Sequence, residues 1–374
     1  MKKILIFYAS YGGGHLSAAK SISQYLEEHY SDIEIKMVDC VEYVNKALNK
    51  LTTAAYREMA KKAPWAWEKV YYKSQDGALA KVSTFSNRVM AIKMDKLFKS
   101  FMPDIVISTH PFGSQITSYL KKKNRTSCKL ATILTDFAIH EQWLVGSENV
   151  DFFFVSNDKM KQDIESEGVD SNKIFVTGIP ISKRFSINFD SLEILNQLDF
   201  VPDKKTILFF GGGEFGLGKD KTVAILKALA DNRFDVQVIA IAGKNEKMKD
   251  AFNKVVAETH SENRIRVLPF TNQVPEFMHI SDLVITKPGG LTTSESLASF
   301  LPIIVINPLP GQEEENAMFL EKNGAGIWLK HTDNPYDILS DVLNNDEKLT
   351  YMKQKSKQIS KPFASKDICE IVMK

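Results

Sequence analysis

Short apolar runs recur along the chain, each bounded by polar or turn-forming residues. In the first half they read KKILIFYA, IEIKMVD, DIVISTH, LATILTD, DFFFVSN and KIFVTGIPI. Stretches with helical spacing or loop composition separate them. Continuous apolar runs predict strands buried on both faces, and their alternation with helices predicts a parallel, doubly wound sheet. After a polar stretch at 186–204 a second series starts afresh: TILFFGGG, VQVIAIAG, RIRVLPF, DLVITKPGG, PIIVINPLP and GIWLK. The expectation is therefore an α/β protein of two Rossmann-like domains. The N-terminal domain covers 1–200 and the C-terminal domain 201–347, and a final helix over 348–374 packs back on the first domain. Two such domains are expected to face a cleft across the carboxyl ends of their strands, where open α/β sheets take ligands.

Composition narrows the class. A chain of 374 residues exceeds what one ordinary core holds. Cys40, Cys128 and Cys369 form no paired motif, which argues against a disulfide framework or a cysteine zinc site and for a reducing cytoplasm. The first strand starts at once with no signal-peptide layout, and no apolar run approaches the roughly 20 residues of a membrane span. The net charge is only +2, but it is unevenly placed: Tyr43 to Met102 holds twelve basic against four acidic residues. The remainder is net acidic, so a general nucleic-acid binder is not expected.

Glycine turns mark the candidate chemistry. GGGEFGLGKD (211–220) resembles a P-loop, but Asp220 stands where a magnesium-binding Ser or Thr is required and would repel phosphate. In YGGGHLSA, the glycines Gly12, Gly13 and Gly14 precede His15. A dinucleotide fingerprint there would use Asp39 as ribose acceptor, yet its third glycine position is Ser17. A plain close-packing turn is the alternative. Both turns let backbone N–H groups and a helix N-terminus approach a ligand.

TKPGGLTTSESLASFLP (286–302) is more specific. A strand ends at Thr286, Gly289 and Gly290 form a tight turn, and Thr292 and Thr293 can cap a helix beginning around Ser294. Its N-terminus together with Lys287 makes a site for a diphosphate without a metal ion. Glu295 can accept from two vicinal hydroxyls, or merely cap the helix. The next strand leads into PLPGQEEENA, which brings Gln312, Glu313 and Asn316 to a helix start. An amide and a carboxylate there suit sugar hydroxyls, although acidic residues also complement a helix dipole.

These stretches, with GGGH at the N-terminus and TDFAIHEQW midway, resemble the monogalactosyldiacylglycerol synthases and the bacterial processive diacylglycerol glucosyltransferases. That family is related to the N-acetylglucosaminyltransferase of the peptidoglycan lipid precursor. The likeness runs over nearly the whole chain. It implies a GT-B fold, a UDP-hexose donor, a diacylglycerol acceptor, and inversion at the anomeric carbon with no cofactor or bound metal. Carried onto this chain, it implies that Glu295 holds the ribose and that Gly289, Gly290, Leu291 and Thr292 face the diphosphate. Gln312 and Glu313 would read the sugar, supported by Asn316, while the backbone around Phe270 pairs with uracil. Gly14, Gly212 and Gly213 would allow close approach of the donor.

An inverting transfer needs a base for the attacking hydroxyl, and an imidazole with a pKa near 6.5 suits it. His15 is the favoured base; Asp136 and His140 can orient or replace it, and Glu313 and His110 remain further candidates. A lipid acceptor also accounts for the basic segment, which carries Trp65, Trp67, Tyr71, Tyr72, Phe85, Phe98 and Phe101. Lysines beside anionic headgroups and aromatics at the interface predict peripheral attachment to the inner face of an anionic membrane. KKKNR (121–125) adds to that face, and Trp143 is a candidate contact for the acceptor. A solvated helix pair with core aromatics is the plainer alternative. The rival functions are transfer to another lipid or polyprenyl acceptor, a UDP-sugar 2-epimerase, and a non-catalytic UDP-sugar sensor.

Overall fold

The computed structural model describes residues 1–10, 13–44, 93–212 and 218–374. Two compact units are present, each built on a six-stranded parallel sheet. Trp65, Trp67, Gly213 and most of the basic segment lie outside the described residues.

Unit 1 comprises Met1–Ser182, Pro310–Gln312 and Phe363–Lys374. Its strands are β1 (Lys2–Tyr8), β2 (Ile33–Asp39), β3 (Ile105–Ser108), β4 (Lys129–Ile133), β5 (Phe152–Val155) and β6 (Ile174–Val176), in the order β2-β1-β3-β4-β5-β6. Ile4, Leu5, Ile6 and Phe7 are all fully buried because successive side chains enter cores on opposite faces. Ile4 and Ile6 pack with Ile22, Leu26 and Ile368, whereas Leu5 and Phe7 pack with Val106, Ile116 and Phe153. The helix Gly14–His29 turns Ala18, Ala19, Ile22, Ser23 and Leu26 inward at helical spacing.

Unit 2 comprises Lys183–Leu309 and Glu313–Pro362. It holds β7 (Lys205–Phe210), β8 (Val236–Gly243), β9 (Ile265–Pro269), β10 (Leu283–Thr286), β11 (Ile303–Val305) and β12 (Gly326–Trp328), in the order β12-β11-β10-β7-β8-β9. Strand order reverses between β1 and β3 in unit 1 and between β10 and β7 in unit 2. At such a reversal the loops leaving neighbouring strands part to opposite sides and open a crevice at the carboxyl edge.

Two details differ from the sequence-based outline. The first unit ends at Ser182, ahead of the boundary drawn near Phe200. The intervening segment is anchored in unit 2: Arg184 pairs with Glu276, and the Gln237 side chain bonds both main-chain groups of Val201. The C-terminal segment is two helices, Asp346–Ile359 and Ala364–Met373. Pro362 separates them, since it lacks an amide hydrogen and pushes the preceding residue out of the helical region. The first helix stays with unit 2, where Ser356 Oγ donates to the Leu301 carbonyl. The second buries Ile368, Cys369 and Val372 in unit 1, and Ser365 Oγ donates to the Ile181 carbonyl. Among the described residues no helix is long and apolar enough to cross a membrane.

Candidate active site

The unit 1 crevice gathers side chains from the ends of β1, β3 and β4. Gly14 and His15 open the helix after β1. His15 Nδ1 lies 2.5 Å from the Thr109 carbonyl oxygen and 3.1 Å from Thr135 Oγ1. A carbonyl oxygen only accepts, so Nδ1 carries the hydrogen and Nε2 presents a lone pair. Thr109 is itself fixed, its N–H donating to the Phe7 carbonyl and its hydroxyl to the His15 carbonyl. Burial holds the His15 imidazolium down to about 4 against the opposing bond to Thr109, so the ring is neutral at pH 7.

His110 has the opposite tautomer. Its Nδ1 accepts from the Phe112 N–H at 3.2 Å and caps the helix Pro111–Lys122, leaving the hydrogen on Nε2. The rings of His15 and His110 meet edge to face with centroids 4.7 Å apart. Burial, and then repulsion from His15, keeps His110 well below 6.5. His140 Nδ1 similarly accepts from the Gln142 N–H to cap the turn Glu141–Trp143. Asp136 follows β4 half-buried, and its carbonyl accepts from Ser156 Oγ. Asp39 is committed elsewhere: its carboxylate takes the N–H groups of Val41, Glu42 and Ser10 and the Ser10 hydroxyl. Saturated in this way, and 6% exposed, it has no capacity left for a ribose, which removes the dinucleotide reading.

The unit 2 crevice lies at the ends of β7, β10 and β11. The helix Gly290–Ala298 starts behind Gly289 with no side-chain cap, so its first N–H groups are not taken by a capping side chain. Lys287 precedes it; burial lowers its amine and Glu313 draws it back up. Glu313 Oε2 accepts from the Leu309 N–H at 2.6 Å, and Oε1 sits on the Gly289 side, 4.0 Å from where a β-carbon would stand. Burial raises Glu313 while Lys287 and the Leu309 N–H oppose the rise. Asn316 is fully buried and its Nδ2 donates to the Pro288 carbonyl at 2.9 Å, tying the helix Gln312–Lys322 to the Lys287–Gly290 turn. Glu295 is raised to about 8 by burial, so the free protein carries it protonated at pH 7. Thr292 is half-buried beside it and Leu291 is buried. Gly212 has φ +93° with open space where a side chain would go. Phe270 follows β9 and is 58% exposed under Lys244 Nζ.

Known proteins divide along the same line. Residues 15–181 match the monogalactosyldiacylglycerol (MGDG) synthase family, and residues 206–370 match the glycosyltransferase family 28 C-terminal domain. A processive diacylglycerol beta-glucosyltransferase of Bacillus cytotoxicus is 30% identical over 379 residues, covering 99% of this chain and 93% of its own. That of Staphylococcus epidermidis is 30% identical over 370 residues, covering 99% and 92%. The chain belongs to the processive diacylglycerol β-glucosyltransferase family. It is a glycosyltransferase. Among solved structures, Acinetobacter baumannii MurG superposes with a TM-score of 0.68 at 15% identity, covering 100% of this chain and 99% of that one. S. aureus MnaA with UDP gives 0.67 at 16%, covering 98% and 95%. At that identity the likeness speaks for the fold, which is GT-B.

Within this glycosyltransferase, unit 2 brings Lys287, Gly289, Gly290, Glu313 and Asn316 into one contact group, with Leu291, Thr292 and Glu295 on the same short helix. Gln312 is the half-buried first residue of the next helix. Trp143 corrects the sequence reading. It is 3% exposed and packs in the core with Ile116, Leu120 and Val150, which gives its ring a packing role in place of the exposed position expected for an acceptor contact. Its place on a turn after a strand suggested a loop residue, but the turn folds back against the helix Pro111–Lys122. The sequence reading missed Thr109 and Thr135. The carbonyl that orients His15 belongs to a main chain 94 residues away, and only the adjacency of STH to a strand end hinted at it.

Proposed function

We propose that the enzyme transfers glucose or galactose from its UDP-sugar to diacylglycerol at a membrane surface, with inversion and without a metal ion. The observation that carries this reading is full-length similarity, across both units, to relatives named for glucosyl transfer to diacylglycerol. In the reaction the acceptor hydroxyl attacks the anomeric carbon from the face opposite UDP, the bond to UDP breaks, and the hydroxyl proton passes to His15 Nε2. The neutral tautomer fixed by Thr109 supports that role. A base of low pKa takes the proton as the new C–O bond makes the hydroxyl acidic, rather than beforehand. Asp136 and His140 assist from the loop after β4. Lys287 and the uncapped helix Gly290–Ala298 balance the charge on departing UDP, which supports a metal-free transfer. Glu295 holds the ribose, Gln312 and Glu313 hold the sugar, and the backbone at Phe270 meets uracil. The basic aromatic segment, with Trp65 and Trp67 but not Phe98 and Phe101, which are buried in the unit 1 core, is assigned to peripheral contact with anionic lipid on the inner face of the cell membrane.

The test incubates purified protein with diacylglycerol-containing anionic vesicles and UDP-glucose or UDP-galactose, with EDTA present. Hexosyl-diacylglycerol detected by mass spectrometry supports the proposal and names the sugar, and its chain length shows whether transfer repeats. UDP binding without lipid product would move the reading to another acceptor, an epimerase or a sensor.

A further inference from the structure

We propose that Asn307 is a positioning residue that ties the start of the helix Lys219–Leu229 to the loop after β11, setting the spacing of two donor-facing segments of unit 2. The inference rests on reading unit 2 as the UDP-sugar domain. Asn307 follows β11 and is 8% exposed. Its φ is +43°, left-handed, although it precedes Pro308, where the backbone is ordinarily extended. Its Oδ1 is buried without a hydrogen-bond partner among the described residues. A left-handed backbone and an unpaired buried carbonyl are both unfavourable, and such positions concentrate where the surrounding structure uses the conformation.

The use lies in the amide nitrogen. Nδ2 donates to Thr222 Oγ1 at 3.2 Å and reaches the Gly218 carbonyl at 3.5 Å. Gly218, at φ +70°, is the entry residue of the helix Lys219–Leu229, which has no side-chain cap, and Thr222 sits fully buried in its first turn. A β-carbon on Gly218 would lie 2.4 Å from the Asn307 amide, so glycine is required for this approach. The Gly218 carbonyl also fixes the amide orientation: a flip would set oxygen against oxygen. An aspartate would bring a charge to the same carbonyl, and a smaller side chain would not reach Thr222.

On its other side Asn307 controls the sugar loop. Pro308 stiffens the chain to Leu309, whose N–H is held by the Glu313 carboxylate. The side chain of one residue thus joins the start of the helix Lys219–Leu229 to the backbone that orients Glu313. It acts on the donor through those segments and touches no reacting atom.

The test compares steady-state constants for Asn307→Gly, Thr222→Val and the double variant, alongside UDP affinity and thermal unfolding. Glycine keeps the left-handed backbone and removes only the tie. Asn307→Gly is expected to raise the donor KM about tenfold, with kcat and the acceptor KM nearly unchanged, as for misplacement of a binding segment. Thr222→Val moves the same constant by less, and the double variant equals Asn307→Gly because Asn307→Gly already removes the contact that Thr222→Val removes. An unchanged donor KM in Asn307→Gly, or equal losses in kcat and both KM values, overturns the proposal. If Asn307→Gly does not fold, an unchanged donor KM in Thr222→Val overturns it. Absence of UDP binding by the unsubstituted protein instead fails the donor-domain reading, and this inference with it.

Discussion

The Thr109 carbonyl oxygen lies 2.5 Å from His15 Nδ1, and this contact decides which ring nitrogen is available for proton transfer. Replacing the ring removes the nitrogen proposed as the base. His15→Ala is expected to bind UDP normally in calorimetry and to lower kcat by about 10²–10⁴-fold. Near-normal turnover would remove His15 from the mechanism.

The pH profile tests the same residue differently. With His15 held at about 4, the acid side of the rate profile carries no loss from this group near pH 6.5. Stability follows the opposite partner. The unfolded chain binds a proton at His15 near 6.5 and the folded protein does not until about 4, so stability from His15 is full above 6.5 and lost as pH falls toward 4. Thermal unfolding of wild type and His15→Asn across this window should converge at the acid end.

Glu295 titrates in the other sense. Its carboxyl is raised from 4.5 to about 8, so the folded protein holds the proton longer than the unfolded chain. Its contribution is full below 4.5 and declines as pH rises to about 8. Glu295→Gln should flatten that decline. On the proposed ribose contact, the hydroxyls donate to the ionised form, so UDP affinity should rise with pH toward 8 in the wild type, and binding at pH 7 should release a proton. Calorimetry in buffers of different ionisation enthalpy reads that proton; a binding heat independent of buffer would contradict the ribose assignment.

Trp143 separates packing from acceptor contact. Trp143→Ala empties a buried site and is expected to cost about 3–5 kcal/mol, whereas Trp143→Phe should cost less and keep the acceptor KM. A raised acceptor KM in the stable Phe variant would restore the contact role.

Asn316 ties the helix Gln312–Lys322 to the turn at Lys287–Gly290 through its bond to the Pro288 carbonyl. Asn316→Leu leaves that buried carbonyl without this donor, with an expected loss of about 1–3 kcal/mol and weaker UDP binding. Unfolding and UDP titration on one preparation distinguish the two effects, and unaltered UDP affinity would leave Asn316 a purely structural residue.

The sequence by itself determined the strands, their parallel pairing class and the two-fold repetition of the plan. Runs such as ILIF and ILFF are apolar at every position because both faces are covered, and nothing distant is needed to read that. The turn at Gly289 and Gly290 was legible too, but the helix begins at Gly290, not around Ser294, and takes no cap from Thr292 or Thr293. Tertiary structure alone decided the chemistry of the side chains. The His15 tautomer depends on a carbonyl brought in from β3. The protonation of Glu295 depends on how much protein covers it. Whether Trp143 faces a lipid or a core depends on how its turn folds against the helix Pro111–Lys122. Periodicity is a local property of the chain, whereas desolvation and hydrogen-bond partnership are set by residues that only the fold makes neighbours.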